Sequence, residues 1–378
     1  MTAPFSPLRR RVRVDTSPNG GRVEKPNPRR ITLPPLGEVA RACLGTKGAF
    51  LAVITAALSL APTLVSADMP AETRRVVPYA VACDRACLYA IADRYMAALI
   101  TKDPTKLSVA RDIRFSENQV MMPLGEGAWN TADALGPHFE FADVRTGQVG
   151  WMGQIVERGV PAVYGMRMKV RDGKITEVET NISRVGVTNS FTAADFAAYS
   201  VPPQAIAPLP PEKRRWRDRM ISIADGYFDT LQLNDGTLFT QFTPDCSRRE
   251  NAVWTASDPN PNATGPLARY GKMTCEQGFL NGTYRWDDAL RERRYPMVDE
   301  ELGIVLSTAF IDHSGVLETY RTNDGQTLDT NQKSPHSFAV MELFKIVDGK
   351  IRHAEATFFT APYRTRNPWV PAPLWPEQ

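Results

Sequence analysis

The chain repeats itself, and the repeat constrains its fold more than any single motif does. Ile91-Ala92-Asp93-Arg94-Tyr95 returns as Ile223-Ala224-Asp225-Gly226-Tyr227, and Glu117-Asn118 returns as Glu250-Asn251. Asp172-Gly173-Lys174-Ile175 returns as Asp348-Gly349-Lys350-Ile351. The offset is 132 at the first pair, 133 at the second and 176 at the third. Two copies therefore run in register early, and the second then gains a long insertion. Self-similarity at this period implies one unit built twice. At 378 residues, two cores are also the default, and 43% hydrophobic residues suffice to fill them.

The net charge of +3 is small. Much of the basic excess sits in the first thirty residues, among them Arg9-Arg10-Arg11, Arg13, Arg22, Lys25, Arg29 and Arg30. A folded part close to neutral lacks the concentrated cationic face that phosphate backbones require, so no nucleic-acid partner is expected. Residues 1–67 read as leader, with the apolar run Ala49 to Val65 as a secretory signal and Val65-Ser66-Ala67 offering small residues at a cut site. The apolar stretch before Pro62 falls short of the ~20 residues of a membrane span. A secreted or periplasmic protein with no membrane contact after cleavage is the expectation, and a retained N-terminal anchor is the alternative. A start placed too far upstream would also account for the long leader.

Export changes the meaning of the cysteines. Cys43 belongs to the leader, and Cys83, Cys87, Cys246 and Cys275 remain. An even number in an oxidising compartment suggests two disulfides. The simplest pairing keeps each copy to itself: Cys83–Cys87 and Cys246–Cys275. Metal ligation by Cys83 and Cys87 competes, but no second close Cys or His pair completes a tetrahedral site. Neither a metal nor a cofactor is expected.

The first copy is placed at 78–190. Leu88, Ile91, Ala92, Tyr95, Met96 and Leu99 form one apolar stripe and predict a helix over 86–100, stopped by Pro104. Strands follow at 114–122, 147–157, 162–171 and 175–185, with Asp172-Gly173 as a hairpin turn. A Pro-rich linker occupies 191–211, with a short helix at 193–199 and an extended remainder. The second copy, 212–369, opens with a helix over 213–231. Its strands are placed at 247–255, 303–312, 336–347 and 351–360, its insertion at about 256–298, and a long loop at 314–335.

A helix followed by a bent sheet that ends in hairpin strands resembles the nuclear transport factor 2-like fold, a cone of sheet with a pocket at its open end. The chain is also similar to a secreted bacterial and fungal domain family of unknown function. That resemblance rests on Arg114-Phe115-Ser116-Glu117-Asn118, Leu124-Gly125-Glu126-Gly127, Arg293-Arg294, 298–303, Asp312-His313 and 342–351. It implies an α+β fold of two tandem cone-shaped units and brings no established activity. Arg94-Tyr95-Met96-Ala97-Ala98-Leu99 is similar to the first helix of ketosteroid isomerases (SnoaL-like relatives), which carry an oxyanion-binding Tyr there. The resemblance implies a carboxylate base at Glu117 or Glu250 and a protonated acid on a later strand. The second copy holds all three residue types as Tyr227, Glu250 and Glu342. The first has Tyr95 and Glu117 but Met166 at the third place.

Such a set moves a proton without a cofactor. A carboxylate takes the proton, a phenol or neutral acid holds the charge left on the substrate oxygen, and burial raises the carboxyl pKa toward working pH. The expected function is an isomerase or lyase acting on a small, aromatic or cyclic organic molecule. Some lyases of lignin-derived aromatics share this fold class. Glu250 is the expected base, Tyr227 and Glu342 the donors, and His313 a further acid or base. Asn251, Arg293, Arg294, Trp254, Tyr95 and Glu117 are the expected substrate contacts. Trp254, Trp286, Phe310 and Phe344 are candidate apolar walls. Ordinary structural roles compete throughout: Tyr95 and Tyr227 as core, each Glu-Asn pair as a buried pin, the arginines as ion-paired, and Glu179 and Glu355 as surface residues. The competing functions are a non-catalytic ligand-binding or assembly module and a structural exported protein. Units of this fold often dimerise through the outer sheet face, so the two copies pair with each other or form a homo-oligomer.

Overall fold

In a computed structural model, residues 83–186, 191–262, 268–330 and 332–371 are described. The leader, the signal segment and Cys43 lie outside the described residues. None of the described helices is long and apolar enough to cross a membrane.

The fold is α+β, with two curved six-stranded sheets, each headed by a helix. Helix α1 (Arg85–Ile100) starts where the Asp84 side chain accepts from the Cys87 amide at 2.9 Å, filling one of the donors every helix start leaves open. Its stripe of Leu88, Ile91, Ala92, Tyr95, Met96 and Leu99 is buried, as the spacing predicts. The first sheet runs β2-β1-β6-β5-β4-β3, from β1 (Val109–Glu117), β2 (Val120–Met121), β3 (Ala132–Asp143), β4 (Gln148–Glu157), β5 (Val160–Arg171) and β6 (Lys174–Arg184). Short helices α2 (Ala193–Ala197) and α3 (Pro203–Ile206) occupy the linker, so the expected extended remainder contains a helical turn. Helix α4 (Arg217–Leu233) begins four residues later than the apolar pattern suggests, because Pro210 and Pro211 hold the chain in a separate turn over Pro211–Lys213.

The second sheet has the same order, β8-β7-β14-β13-β10-β9. Its strands are β7 (Phe242–Glu250), β8 (Val253–Ala256), β9 (Ala289–Asp299), β10 (Ile304–His313), β13 (His336–Val347) and β14 (Lys350–Ala361). Helices α5 (Ala268–Gly271) and α6 (Cys275–Leu280) precede β9, and a ribbon of β11 (Thr319–Arg321) and β12 (Thr327–Asp329) precedes β13. Register matches position by position. Phe115 pairs with Val178, and Glu117 and Met166 both pair with Thr180. Arg248 pairs with Ala354, and Glu250 and Glu342 both pair with Ala356. Residues of these central strands can therefore be matched one to one, whereas the edge strands β3 and β9 carry their bulges at different places.

Four expectations change. The strand placed at 114–122 is a hairpin, β1 and β2, turning at Asn118 and Gln119 with φ of 49° and 65°. Its counterpart at 247–255 turns at Asn251 and Ala252 with φ of 46° and 72°. Asn tolerates that left-handed backbone better than most residues, which accounts for its recurrence. Strand β3 was not anticipated, and β9 lies inside the span read as insertion. The loop at 314–335 contains the β11–β12 ribbon. Both disulfides form as the simplest pairing predicts, Cys83–Cys87 and Cys246–Cys275.

The outer faces of the sheets pack on one another. Phe139, Phe141 and Met152 of the first meet Met297, Ile304, Leu306, Met341 and Leu343 of the second. Burying each such side chain contributes about 1.5–3 kcal/mol relative to exposure. Reciprocal ion pairs bracket this interface. Arg85 meets Asp299 at 2.6 Å, and Arg217 meets Asp143 at 2.5 Å. Asp299 also accepts from the Ala142 amide, and Asp143 from the Val298 amide. Glu179 and Glu355, read as surface residues, are buried. Glu179 is held by Arg167 and Arg294, and Glu355 by Arg249.

Candidate functional site

In the second half, α4 and the concave face of the sheet enclose a cavity of about 540 Å³. Strand alternation sets its lining. Met341 and Leu343 point into the interface between the sheets, so Glu342 between them points inward. Arg248 and Glu250 share one face of β7 and line the cavity, while Arg249 between them turns away to Glu355. Tyr227 comes from α4. The chain before β9 supplies Tyr270, Tyr284, Trp286 and Asp287. The β11–β12 region and the chain after it supply Asp329, Gln332 and Ser334, and Phe338, Val340 and Phe358 complete an apolar wall.

Arg248 organises the polar part. Its guanidinium donates to Thr255 Oγ1 at 2.9 Å, to the Tyr227 hydroxyl at 3.3 Å and to the Tyr284 hydroxyl at 2.7 Å. Its Nε lies 3.6 Å from Glu250 Oε1. Among the described residues no donor reaches the Glu250 carboxyl at hydrogen-bonding distance, and 29% of that side chain stays open to solvent. Tyr227 also meets Glu342. Burial, and then the charge of Glu250, push the Glu342 carboxyl up to about 8, so it is largely protonated at neutral pH. Burial raises Asp287 well above the carboxylate range, again with Glu250 adding to it. Burial likewise raises the Tyr227 phenol far above its ordinary value and Tyr284 to about 12, which keeps both as donors.

Three of the expected catalytic residues, Glu250, Tyr227 and Glu342, thus face one cavity. His313 is not part of its lining. It is fully buried, with Nδ1 3.1 Å from the Trp286 carbonyl and its ring against His336 and Phe338. Burial lowers His313 to about 4. Nδ1 comes within ion-pair distance of Asp287, at 3.6 Å. Burial shifts the imidazole down and the carboxyl up, so on both sides it opposes the charges that an ion pair needs.

The expected substrate contacts lie elsewhere. Asn251 spends its side chain on the Phe358 backbone, accepting from N at 2.9 Å and donating to O at 3.0 Å. Asn118 does the same to Ile182, at 2.7 and 3.1 Å. The recurring Asn is therefore a pin between the two parallel strands of each sheet. Arg293 is tied to Asp225 and Asp229 on α4. Arg294 reaches across to Glu179 of the first sheet. Trp254 lies beside Arg249 and His353, behind the sheet. Of the aromatic walls, Trp286 alone lines the cavity; Phe344 packs on Tyr227 in the core, and Phe310 lies under Arg291.

Tyr95 and Glu117 do not converge on a comparable space. Tyr95 is buried and accepts from Trp129 Nε1 at 3.3 Å. Both Glu117 oxygens are occupied, by the Ala128 amide at 2.7 Å and by Arg184 at 2.8 Å, beneath a shallow depression. Phe115, Trp151, Tyr164 and Met166 fill the interior where the second half has Arg248, Ser307, Val340 and Glu342. Sequence reasoning missed Arg248 and Asp287. The signal was available for Arg248, which stands where the repeat has Phe115.

A family model described as a domain of unknown function (DUF8021) matches residues 213–358, most of the second half. No curated protein matches the chain. Among solved structures the chain is similar to an NTF2-like protein of unknown function from Cytophaga hutchinsonii. The identity is 13%, over 25% of this chain and 89% of that one, with a TM-score of 0.21.

Proposed function

We propose that the described chain is a tandem pair of nuclear transport factor 2-like cones, exported and disulfide-bonded, in which the second cone transfers a proton within a small, aromatic or cyclic organic molecule. Glu250 is the base. Glu342, kept protonated by burial, and Tyr227, polarised by Arg248, donate to the substrate oxygen as charge builds on it. An isomerisation or an elimination follows according to where the proton is returned. The observation that carries this reading is the convergence of Glu250, Tyr227 and Glu342 on one cavity. Its volume lies within the ~300–1,000 Å³ of small-molecule sites.

The test is exchange of carbon-bound hydrogen with deuterated solvent, followed by NMR across a panel of cyclic and aryl ketones. The unaltered protein should exchange at least one of them, and Glu250→Gln should not. A second reading, a binding module, is favoured by the engagement of Glu250 with Arg248. Ligand binding with no exchange on any panel member would establish that reading instead.

A further inference from the structure

The cavity holds more acid than it needs for a single proton transfer. Four carboxyl groups line it, Glu250, Glu342, Asp287 and the exposed Asp329 of β12, together with one guanidinium, Arg248, whose ion-pair partner is Glu250. Asp287 is the unexplained member. Its side chain is 95% buried, since only 5% is exposed. Among the described residues no hydrogen bond reaches its carboxyl. The nearest nitrogen, His313 Nδ1 at 3.6 Å, is already engaged by the Trp286 carbonyl. His313 is held neutral by burial and supplies no positive charge. Arg248 acts on Asp287 by charge alone, without a hydrogen bond. A buried carboxyl with no donor is costly to keep, and in a native protein it calls for an explanation. The first half has none of this, because the chain segment that carries Asp287 belongs to the longer connection between β8 and β9.

Asp287 opens onto the same cavity as Tyr270, Tyr284, Trp286 and Phe338. Aromatic faces attract cations, and the attraction grows when water is excluded. Given that the cavity is a ligand site, we propose that Asp287 and the aromatic side chains around it form a subsite for a positively charged nitrogen, so that the ligand is an aromatic or cyclic molecule bearing a protonated amine. The amine supplies the donors that Asp287 lacks and a cation in direct contact with it, while the remainder of the ligand lies toward Glu250, Tyr227 and Glu342. The subsite determines specificity and takes no part in the transfer of the proton.

A matched charge series tests this on the full, disulfide-bonded chain by titration calorimetry. Tryptamine, tryptophol and indole-3-propionate share one ring system and end in a cation, a neutral hydroxyl and an anion. Tryptamine should bind at least tenfold more tightly than either of the others. Asp287→Asn should weaken tryptamine at least tenfold and leave tryptophol within twofold. Equal or tighter binding of tryptophol or indole-3-propionate overturns the inference while leaving the cavity a ligand site. So does an Asp287→Asn protein that binds tryptamine as well as before. Failure of all three probes to bind overturns the inference together with the reading beneath it. Because the series is read on the unaltered protein, a variant that does not fold leaves the test in force.

Discussion

The two halves share strand order, register, a helix at the front and an Asn pin, yet one is filled and the other hollow. The first half places Phe115, Trp151, Tyr164 and Met166 inside the curve of its sheet, in one cluster with Trp129, which packs edge-on against Tyr95. The second puts Arg248, Ser307, Val340 and Glu342 at those four positions. Two of the four exchanges replace an apolar side chain with a charged or ionisable one, and two replace an aromatic with a smaller residue. Two longer connections then wall the space that the smaller side chains leave. The backbone is evidently indifferent to what occupies its interior, and a handful of substitutions decides whether the unit is a scaffold or a site. The interface between the sheets explains why the filled half is kept: it covers the outer face of the hollow one and meets it through Arg85–Asp299 and Arg217–Asp143.

The largest difference between the halves should appear at the two glutamates. Glu250→Gln is expected to lower proton exchange by roughly 10²–10⁴-fold with little change in melting temperature. Glu117→Gln should leave exchange untouched and reduce stability by about 1–3 kcal/mol, because it disturbs a buried acceptor of two hydrogen bonds. Denaturant unfolding beside the exchange assay measures both. If Glu117→Gln removed exchange, the contrast between the halves would collapse.

Interchanging the interior residues comes next. Val340→Tyr brings the Tyr164 ring into the second half and should abolish ligand binding while the protein stays folded. The reverse change, Tyr164→Val, should cost about 3 kcal/mol, the range for a large side chain deleted from a packed core. Calorimetry and unfolding curves report each. A stable Tyr164→Val protein would mean that the first interior is not tightly packed.

The pH dependence has opposite signs at two buried groups. Glu342 has its pKa raised from about 4.5 to about 8 in the folded protein. The stability linked to it is therefore fully present below about pH 4.5 and is lost as pH rises toward 8. The Glu342→Gln protein should show a flatter stability profile across that window, and Met166, the equivalent position, titrates nothing. His313 has its pKa lowered from 6.5 to about 4. Its contribution is present above pH 6.5 and is lost as pH falls toward 4. Unfolding curves at half-unit pH steps would separate the two, and a Glu342→Gln profile identical to that of the unaltered protein would exclude a raised carboxyl.

The smallest contrast should be at the asparagines. Asn118→Ala and Asn251→Ala should each cost about 1–3 kcal/mol and differ little from one another, since the pin is the same in both halves. A large effect of Asn251→Ala on ligand affinity at equal stability would give Asn251 a role beyond the pin.

Much of this was legible in the sequence, for physical reasons. Helix α1 and the strands that end in Asp172-Gly173 and Asp348-Gly349 follow period and turn chemistry, and the disulfides follow cysteine spacing. Tyr227, Glu250 and Glu342 stand out through the repeat and the resemblance to ketosteroid isomerases, while alternation sets Glu342 opposite Met341 and Leu343 without telling inward from outward. Strands β3 and β9 escaped notice. Gly136 and Pro137 interrupt the pattern of the first, and the second carries Arg291, Glu292, Arg293 and Arg294 in a row. Those side chains are half-buried by ion pairs that the sequence does not display, so a strand read as solvated loop. Asp287 was invisible for the same reason: a charge is read as surface unless its partners, or its lack of them, can be seen. Arg248 was legible only through the repeat, which sets it opposite Phe115. Asn251 was misleading in the opposite sense, because recurrence marks shared structure as readily as shared chemistry.

The central contrast is best tested by a crystal structure at a resolution that shows ordered solvent. The account predicts waters, or a captured molecule, in the second half within hydrogen-bonding distance of Glu250, Glu342 and Asp287, and a dry, filled interior around Trp129 and Tyr164 in the first. A second interior filled by its own side chains, with the Glu250 carboxyl turned into bulk water, would contradict it.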